Sequence, residues 1–320
     1  MCGIIWRVQK IVVPLLANGQ LSAWREKCLI RKFIVMYELK YYLDTNAVRS
    51  FSPQLKRCRE IGAFTSIWTI CEMLGRVLKN PNEFDKIQKN LKEVKDSGIC
   101  VATKLPMELH YDAFGIPFPN NRLCSNILGL VTLMLEEDSY NSWENKFSKK
   151  EYADAREYII GTDNGSEYFN HCLEKEYNLE LLPKESIQKY EEFIKNEDKY
   201  LSKKRLIEYY AEHLIEHNNN VQNMVNLLGL TYEQGTQLLC YIYDGSIDIA
   251  IRVSASYVNR KVSCREKAKR NDDIDLMHLY YLRDDIMLVT NDGMLLENVN
   301  AEFPDRAISN EDFKKIIDLV

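Results

Sequence analysis

Two short apolar runs, each ending in an aspartate, constrain this chain more than any other feature. The first is LKYYLDTN, residues 39–46, and the second is IMLVTND, residues 286–292. Apolar and aromatic residues, broken only by Lys40 and leading straight into Asp-Thr-Asn or Thr-Asn-Asp, read as buried strands that end at polar loops. In an open parallel α/β sheet the ligand site lies outside the carboxyl ends of the strands. Asp44 and Asp292 are therefore expected to project to the same edge.

Between the two runs the pattern is almost wholly helical. In FTSIWTICEMLGRVL, Ser66 can cap a helix whose apolar side carries Ile67, Ile70, Cys71, Leu74 and Val77, with Glu72 two turns in. Residues 82–95 form an amphipathic segment closed by Gly98, and a loop marked by Pro106, Pro117 and Pro119 follows. PKESIQKYEEFIKN (183–196) and LSKKRLIEYYAEHLIEH (201–217) also have helical spacing. The organisation expected is a discontinuous α/β domain over 36–80 and 250–320, interrupted by a helical insertion or cap over 81–249. Residues 1–35 are expected to lie outside that fold, as an extension or the product of a start codon placed too far upstream.

A chain of 320 residues with 46% hydrophobic content can bury a sizeable core. Its net charge of −5 excludes a surface that is basic all over, so contact with nucleic acid needs a local patch. Nine scattered cysteines without a CxxC pair suit reduced thiols in the cytoplasm better than a disulfide framework. No run approaches the ~18 apolar residues of a membrane span.

Helices starting at the sheet edge would add two more acids, Glu72 and the Asp275 of NDDIDLMHLYYL. Four carboxylates brought together repel one another, and a divalent cation with hard oxygen ligands, Mg²⁺ or Mn²⁺, is the usual remedy. Each element also has an ordinary explanation: an Asx turn at 44–46, a capping pair at Thr69 and Glu72, a hairpin turn at 291–293, and favourable charge at a helix start over 272–275. The order of the four, each behind an apolar segment, is what favours a site.

The strand with LDTN, the Ser-x-x-Thr-x-x-Glu spacing of SIWTICE, then DLMHLYYL and LVTND, resemble the PIN-domain nucleases over about 36–78 and 255–310. The resemblance implies a three-layer PIN-like fold with a central, mostly parallel sheet. It implies that Asp44, Glu72, Asp275 and Asp292 form the catalytic and metal-holding cluster, with Asn46, Ser66, Thr290 and Asn291 as polar support. Asp272, one helical turn before Asp275, could replace or assist it, while Asp273 points elsewhere. The activity implied is Mg²⁺- or Mn²⁺-dependent endoribonuclease cleavage of single-stranded or structured RNA, with a protein inhibitor or a second copy of the chain as further possible partners. The large helical middle departs from the compact form of the family and leaves substrate and partner open.

The run Arg260, Lys261, Arg265, Lys267, Lys269 and Arg270, set against Glu266 alone, is the candidate RNA contact. Its ordinary reading is a solvated helix face. HLIEH, with His213, Glu216 and His217, matches the H-x-x-E-H spelling of a zinc protease, although histidines are also favourable at the end of a polar helix. MVNLLGLTYEQGTQLLCYIY could be a helix-turn-helix, but its second helix has no Lys or Arg and reads better as a core hairpin. A PIN-like module that binds RNA or protein without cutting is the remaining alternative. His278 is expected to be packed or hydrogen-bonded rather than to act as a ligand.

Overall fold

Tyr41, Tyr42 and Leu43 form the middle strand β1 (Tyr41–Leu43), and Tyr42 and Leu43 are fully buried. A computed structural model of the chain describes residues 40–120, 122–161, 203–264, 266, 269, 271–283 and 285–319, within a compact unit Leu39–Val320. The expected extension 1–35, the helix over 183–196, and Arg265, Lys267 and Arg270 lie outside the described residues.

Following β1, Asp44 caps α1 (Thr45–Phe51) by accepting from the Ala47 amide, and α2 (Leu55–Glu60) leads into β2 (Ala63–Ser66). Ser66 then caps α3 (Ile67–Lys79), as its position before the apolar periodicity predicted. Next comes α4 (Phe84–Ser97), which closes on Gly98 at φ 64°. A Cβ there would stand 2.9 Å from the Arg59 guanidinium, which itself donates to the Ser97 carbonyl at 3.0 Å. The left-handed φ is what favours glycine, since the tip of Arg59 could shift aside.

Strand β3 (Cys100–Ala102) pairs in parallel with β2, and far along the chain β4 (Met287–Val289) pairs in parallel with β1 and with β5 (Ala307–Ile308). The five-stranded sheet has the order β3-β2-β1-β4-β5. All neighbours are parallel, so every carboxyl end faces one edge, and helices must carry each crossover. The result is an α/β fold with helices flanking a parallel sheet.

The boundary expected at residue 81 is corrected here. Both α4 and β3 fall within 81–249, yet β3 is an edge strand of the sheet. A three-residue strand of Cys, Val and Ala is too short for its periodicity to stand out between helices.

The rest of that segment is helical: α5 (Pro106–Ala113), α6 (Leu123–Glu136), α7 (Tyr140–Phe147), α8 (Ala153–Gly161), α9 (Lys203–His217), α10 (Asn219–Leu227) and α11 (Tyr232–Ile242). Helices α6 and α8 pack on α3, and α9 packs on α12 (Asp248–Cys264). Their buried side chains join the same core as the sheet, so this segment is no detached cap. Helix α11 lies along α9, with Thr231 and Gln234 in a capping box. A Cβ at Gly235 would meet Val225 at 2.9 Å, which makes α10 and α11 a close-packed hairpin. No helix among the described residues is long and apolar enough to cross a membrane.

Candidate active site

The carboxyl edge of the sheet holds Asp44 and Asp292 by one local device, a strand that leads into a helix cap. Asp44 stands where β1 meets α1 and is 3% exposed. One oxygen accepts from the Ala47 amide at 2.7 Å, and the other accepts from the Thr290 hydroxyl at the end of β4. The Thr290 oxygen in turn accepts from the Asp292 amide at 2.9 Å, and the Asp292 carboxylate caps α14 (Gly293–Glu302) through the Leu295 amide at 2.8 Å. Adjacent strand ends are thus tied through a single threonine.

Glu72 enters from α3. Its carboxylate accepts from the Thr45 hydroxyl and lies 2.7 Å from His278 Nε2. His278 belongs to a short 3₁₀ helix, Met277–Tyr281, that continues α13 (Asp272–Leu276). Its Nδ1 lies 2.6 Å from the Tyr42 hydroxyl, which also contacts Ser66 Oγ at 2.7 Å. His278 is therefore packed and hydrogen-bonded, as its position suggested.

Asp275 completes the group. Burial, followed by the negative charges of Asp292 and Glu72 and then of Asp44, pushes its carboxyl up to about 8, against the attraction of His278. Burial also raises Asp44, although His278 and Thr290 hold it back. For His278, burial works against the charged form, but Glu72, Asp44 and Asp275 together raise its pKa. Asp275 thus feels each of the other three expected acids, and Asp44 feels Glu72.

The supporting residues have mostly structural partners. Ser66 is buried as a cap, Asn291 accepts from the Asn310 amide at 3.0 Å, and Asn46 sits half-buried in the first turn of α1. Asp272 is a correction: its carboxylate accepts from the Tyr257 hydroxyl and from the Lys269 amide at 2.9 Å, and is 3.9 Å from Lys261. It fastens α12 to the start of α13 and has no share in the acidic group. A shared helix face predicted proximity to Asp275, but α13 is only five residues long, and a neighbouring helix claims the first of them.

Lys261 is likewise corrected as an RNA contact. Its ammonium lies 3.2 Å from Glu266 and over the Tyr257 ring, and its side chain is 10% exposed. Arg260 pairs with Glu297 at 3.0 Å, while Lys269 is exposed. In the HLIEH segment, the His213 and His217 rings are 4.3 Å apart, and Glu216 accepts from Tyr232 at 2.9 Å.

Carboxylate oxygens with excess negative charge suit a hard divalent cation by donor chemistry. As placed, no three His, Cys, Asp or Glu side chains among the described residues are close enough to hold an ion. Glu72 is engaged by Thr45 and His278, and would have to release one of them to become a ligand. Thr45, Tyr42 and Tyr257 were not singled out from the sequence. For His278 the i, i+3 relation to Asp275 was the available signal.

Comparison with protein-family models, curated proteins and solved structures gives no match.

Proposed function

We propose that this chain is a PIN-like, metal-dependent endoribonuclease. The observation that supports it is the effect of Asp292, Glu72 and Asp44 on the buried Asp275, raised to about 8, beside a parallel sheet. Carboxyls that keep a proton because ionisation there is costly form the environment a divalent cation relieves. Asp44, Asp275, Asp292 and a released Glu72 would hold Mg²⁺ or Mn²⁺, which when bound would supply Lewis acidity and make water a nucleophile near neutral pH. The chain's own part is orientation. Thr290 and the Ala47 amide fix both oxygens of Asp44, and His278 with Tyr42 fixes Glu72. Hydrolysis then forms a bond from water oxygen to phosphorus and breaks the bond to the departing ribose oxygen, which takes up a proton.

The test is cleavage of a mixed RNA pool in EDTA, Mg²⁺, Mn²⁺ and Zn²⁺, with Asp44→Asn and His217→Ala alongside. Cutting confined to Mg²⁺ or Mn²⁺ and abolished by Asp44→Asn is the expected result. Activity lost in His217→Ala but kept in Asp44→Asn would move the chemistry to zinc. A second reading, an RNA-binding module that does not cut, is favoured by one observation: Glu72 is already satisfied by Thr45 and His278. RNA retained without cleavage under every metal would support that reading.

A further inference from the structure

A second feature adjoins the elements that carry the acids. A cavity of about 470 Å³ is lined by Trp68, Tyr158, Tyr209, Tyr210 and Tyr280 with His110, His213, Asp273 and Met107. Trp68 precedes Glu72 on α3; Asp273 precedes Asp275 on α13; Tyr280 follows His278. Trp68 Nε1 donates to the Ile274 carbonyl at 3.1 Å, which fastens α3 to α13 between cavity and acids. Asp273 and Asp275, two apart on α13, face nearly opposite ways, whereas Trp68 and Glu72, four apart on α3, share a face, so cavity and acids are neighbours about one helix width, ~10 Å, apart across α13.

The lining states what the cavity accepts. Among the described residues its lining has no Lys or Arg, so these walls offer a phosphate no cationic partner. Its walls are flat and aromatic: the His110 and Tyr210 rings lie 4.5 Å apart, and Trp68 and Tyr158 meet edge to face at 6.3 Å. Within that apolar shell are a carboxylate, Asp273, and one buried nitrogen without a partner among the described residues, His110 Nε2. His110 is 8% exposed, and burial, with His213 beside it, lowers it to about 3, so the ring is neutral and Nε2 can serve as donor or acceptor. Such a set suits a planar heterocycle stacked on aromatic rings, read at one edge by an acceptor-only carboxylate and at another by an imidazole.

We propose that this cavity binds one unstacked guanine base of a single-stranded RNA, flanking the nucleotide that is cut. The inference rests on the nuclease reading for the source of the base. Guanine is the base that offers adjacent N–H donors to Asp273 while keeping the O6 and N7 acceptors for His110. Adenine would present a ring nitrogen acceptor to the carboxylate.

The test titrates the full chain with guanosine, adenosine, cytidine and uridine in EDTA, followed by calorimetry, so that neither a metal nor cleavage is needed. Guanosine is expected to bind tighter than the others by about tenfold or more, the scale of one bidentate base contact. Asp273→Asn should lose that preference. His110→Leu should lose it too and should fold, because it removes a buried polar atom that has no partner. No saturable binding, equal binding of the four nucleosides, or a guanosine preference surviving in both variants would overturn the proposal. Guanosine binding by a protein that cuts no RNA would uphold the cavity and sink the nuclease reading; RNA cleavage without nucleoside binding would do the reverse.

Discussion

His278 Nε2 lies 2.7 Å from the Glu72 carboxylate although 206 residues separate the two in sequence. The contact joins α3 to the 3₁₀ helix after α13, and the other ring nitrogen reaches Tyr42 on the central strand. One imidazole thus holds an acid, a strand and two helical elements in register. His278→Leu should strand both the Tyr42 hydroxyl and the Glu72 carboxylate. A loss of ~2 kcal/mol is expected for such unsatisfied groups, read as a shifted urea midpoint at unchanged slope. An unshifted midpoint would show that the contact is not made in solution.

The acidic group should make the metal-free protein less stable as pH rises. A carboxyl whose folded pKa is about 8 against an ordinary 3.8 binds its proton more tightly folded than unfolded, so Asp275 lowers stability progressively from about pH 4 to about pH 8. His278 acts in the same direction, because a raised imidazole pKa gives stability below its unfolded value that is lost as pH passes the folded one. The combined effect is on the order of a few kcal/mol. Melting in EDTA at pH 5, 7 and 9 should show a falling Tm, flattened in Asp275→Asn. Adding Mg²⁺ or Mn²⁺ at pH 8 should raise the wild-type Tm and leave the variant nearly unmoved. A Tm that climbs with pH would refute this.

Thr290 should matter more for activity than for folding. Its hydroxyl donates to Asp44 and its oxygen receives the Asp292 amide, so Thr290→Val removes both while keeping the β-branched shape for β4. A destabilisation of ~1–2 kcal/mol is expected. Cleavage should fall by a larger factor, recorded as kcat under saturating RNA. Equal kcat in Thr290→Val and wild type would mean that the two loops need no common anchor.

Lys261 and Lys269 should part company. Lys261 is held under Tyr257 between Glu266 and Asp272, so Lys261→Ala should lower Tm and leave the salt dependence of RNA binding unchanged. Lys269 is exposed, so Lys269→Ala should leave Tm alone and reduce the slope of log affinity against log salt by about one. Measuring both slopes decides it, and a change for Lys261 with none for Lys269 would reverse the assignment.

Much of this was readable from spelling. Apolar runs ending in Asp44 and Asp292, and Ser66 ahead of Ile67, are local signals: strand propensity, a cap and a change of period occupy fewer than ten residues each. They were sufficient to predict buried strands, helix starts and Asp44 and Asp292 at one edge, because in a parallel sheet every strand end faces the same way. Local signals could not say which acid would be claimed by a neighbour. Asp272 and Asp275 look alike on one helix face, yet Tyr257 takes the first and leaves the second among like charges. Lys261 reads as part of a basic stripe until α12 turns it inward over an aromatic ring. Strand β3, with three small residues, shows itself only by the hydrogen bonds β2 offers it. The aromatic cavity gathers side chains from α3, α5, α8, α9, α13 and the 3₁₀ helix. The sequence by itself determined most of the elements and the two acids that follow β1 and β4; only the tertiary structure decided β3 and which side chains meet, because those contacts depend on packing between residues as many as 260 positions apart.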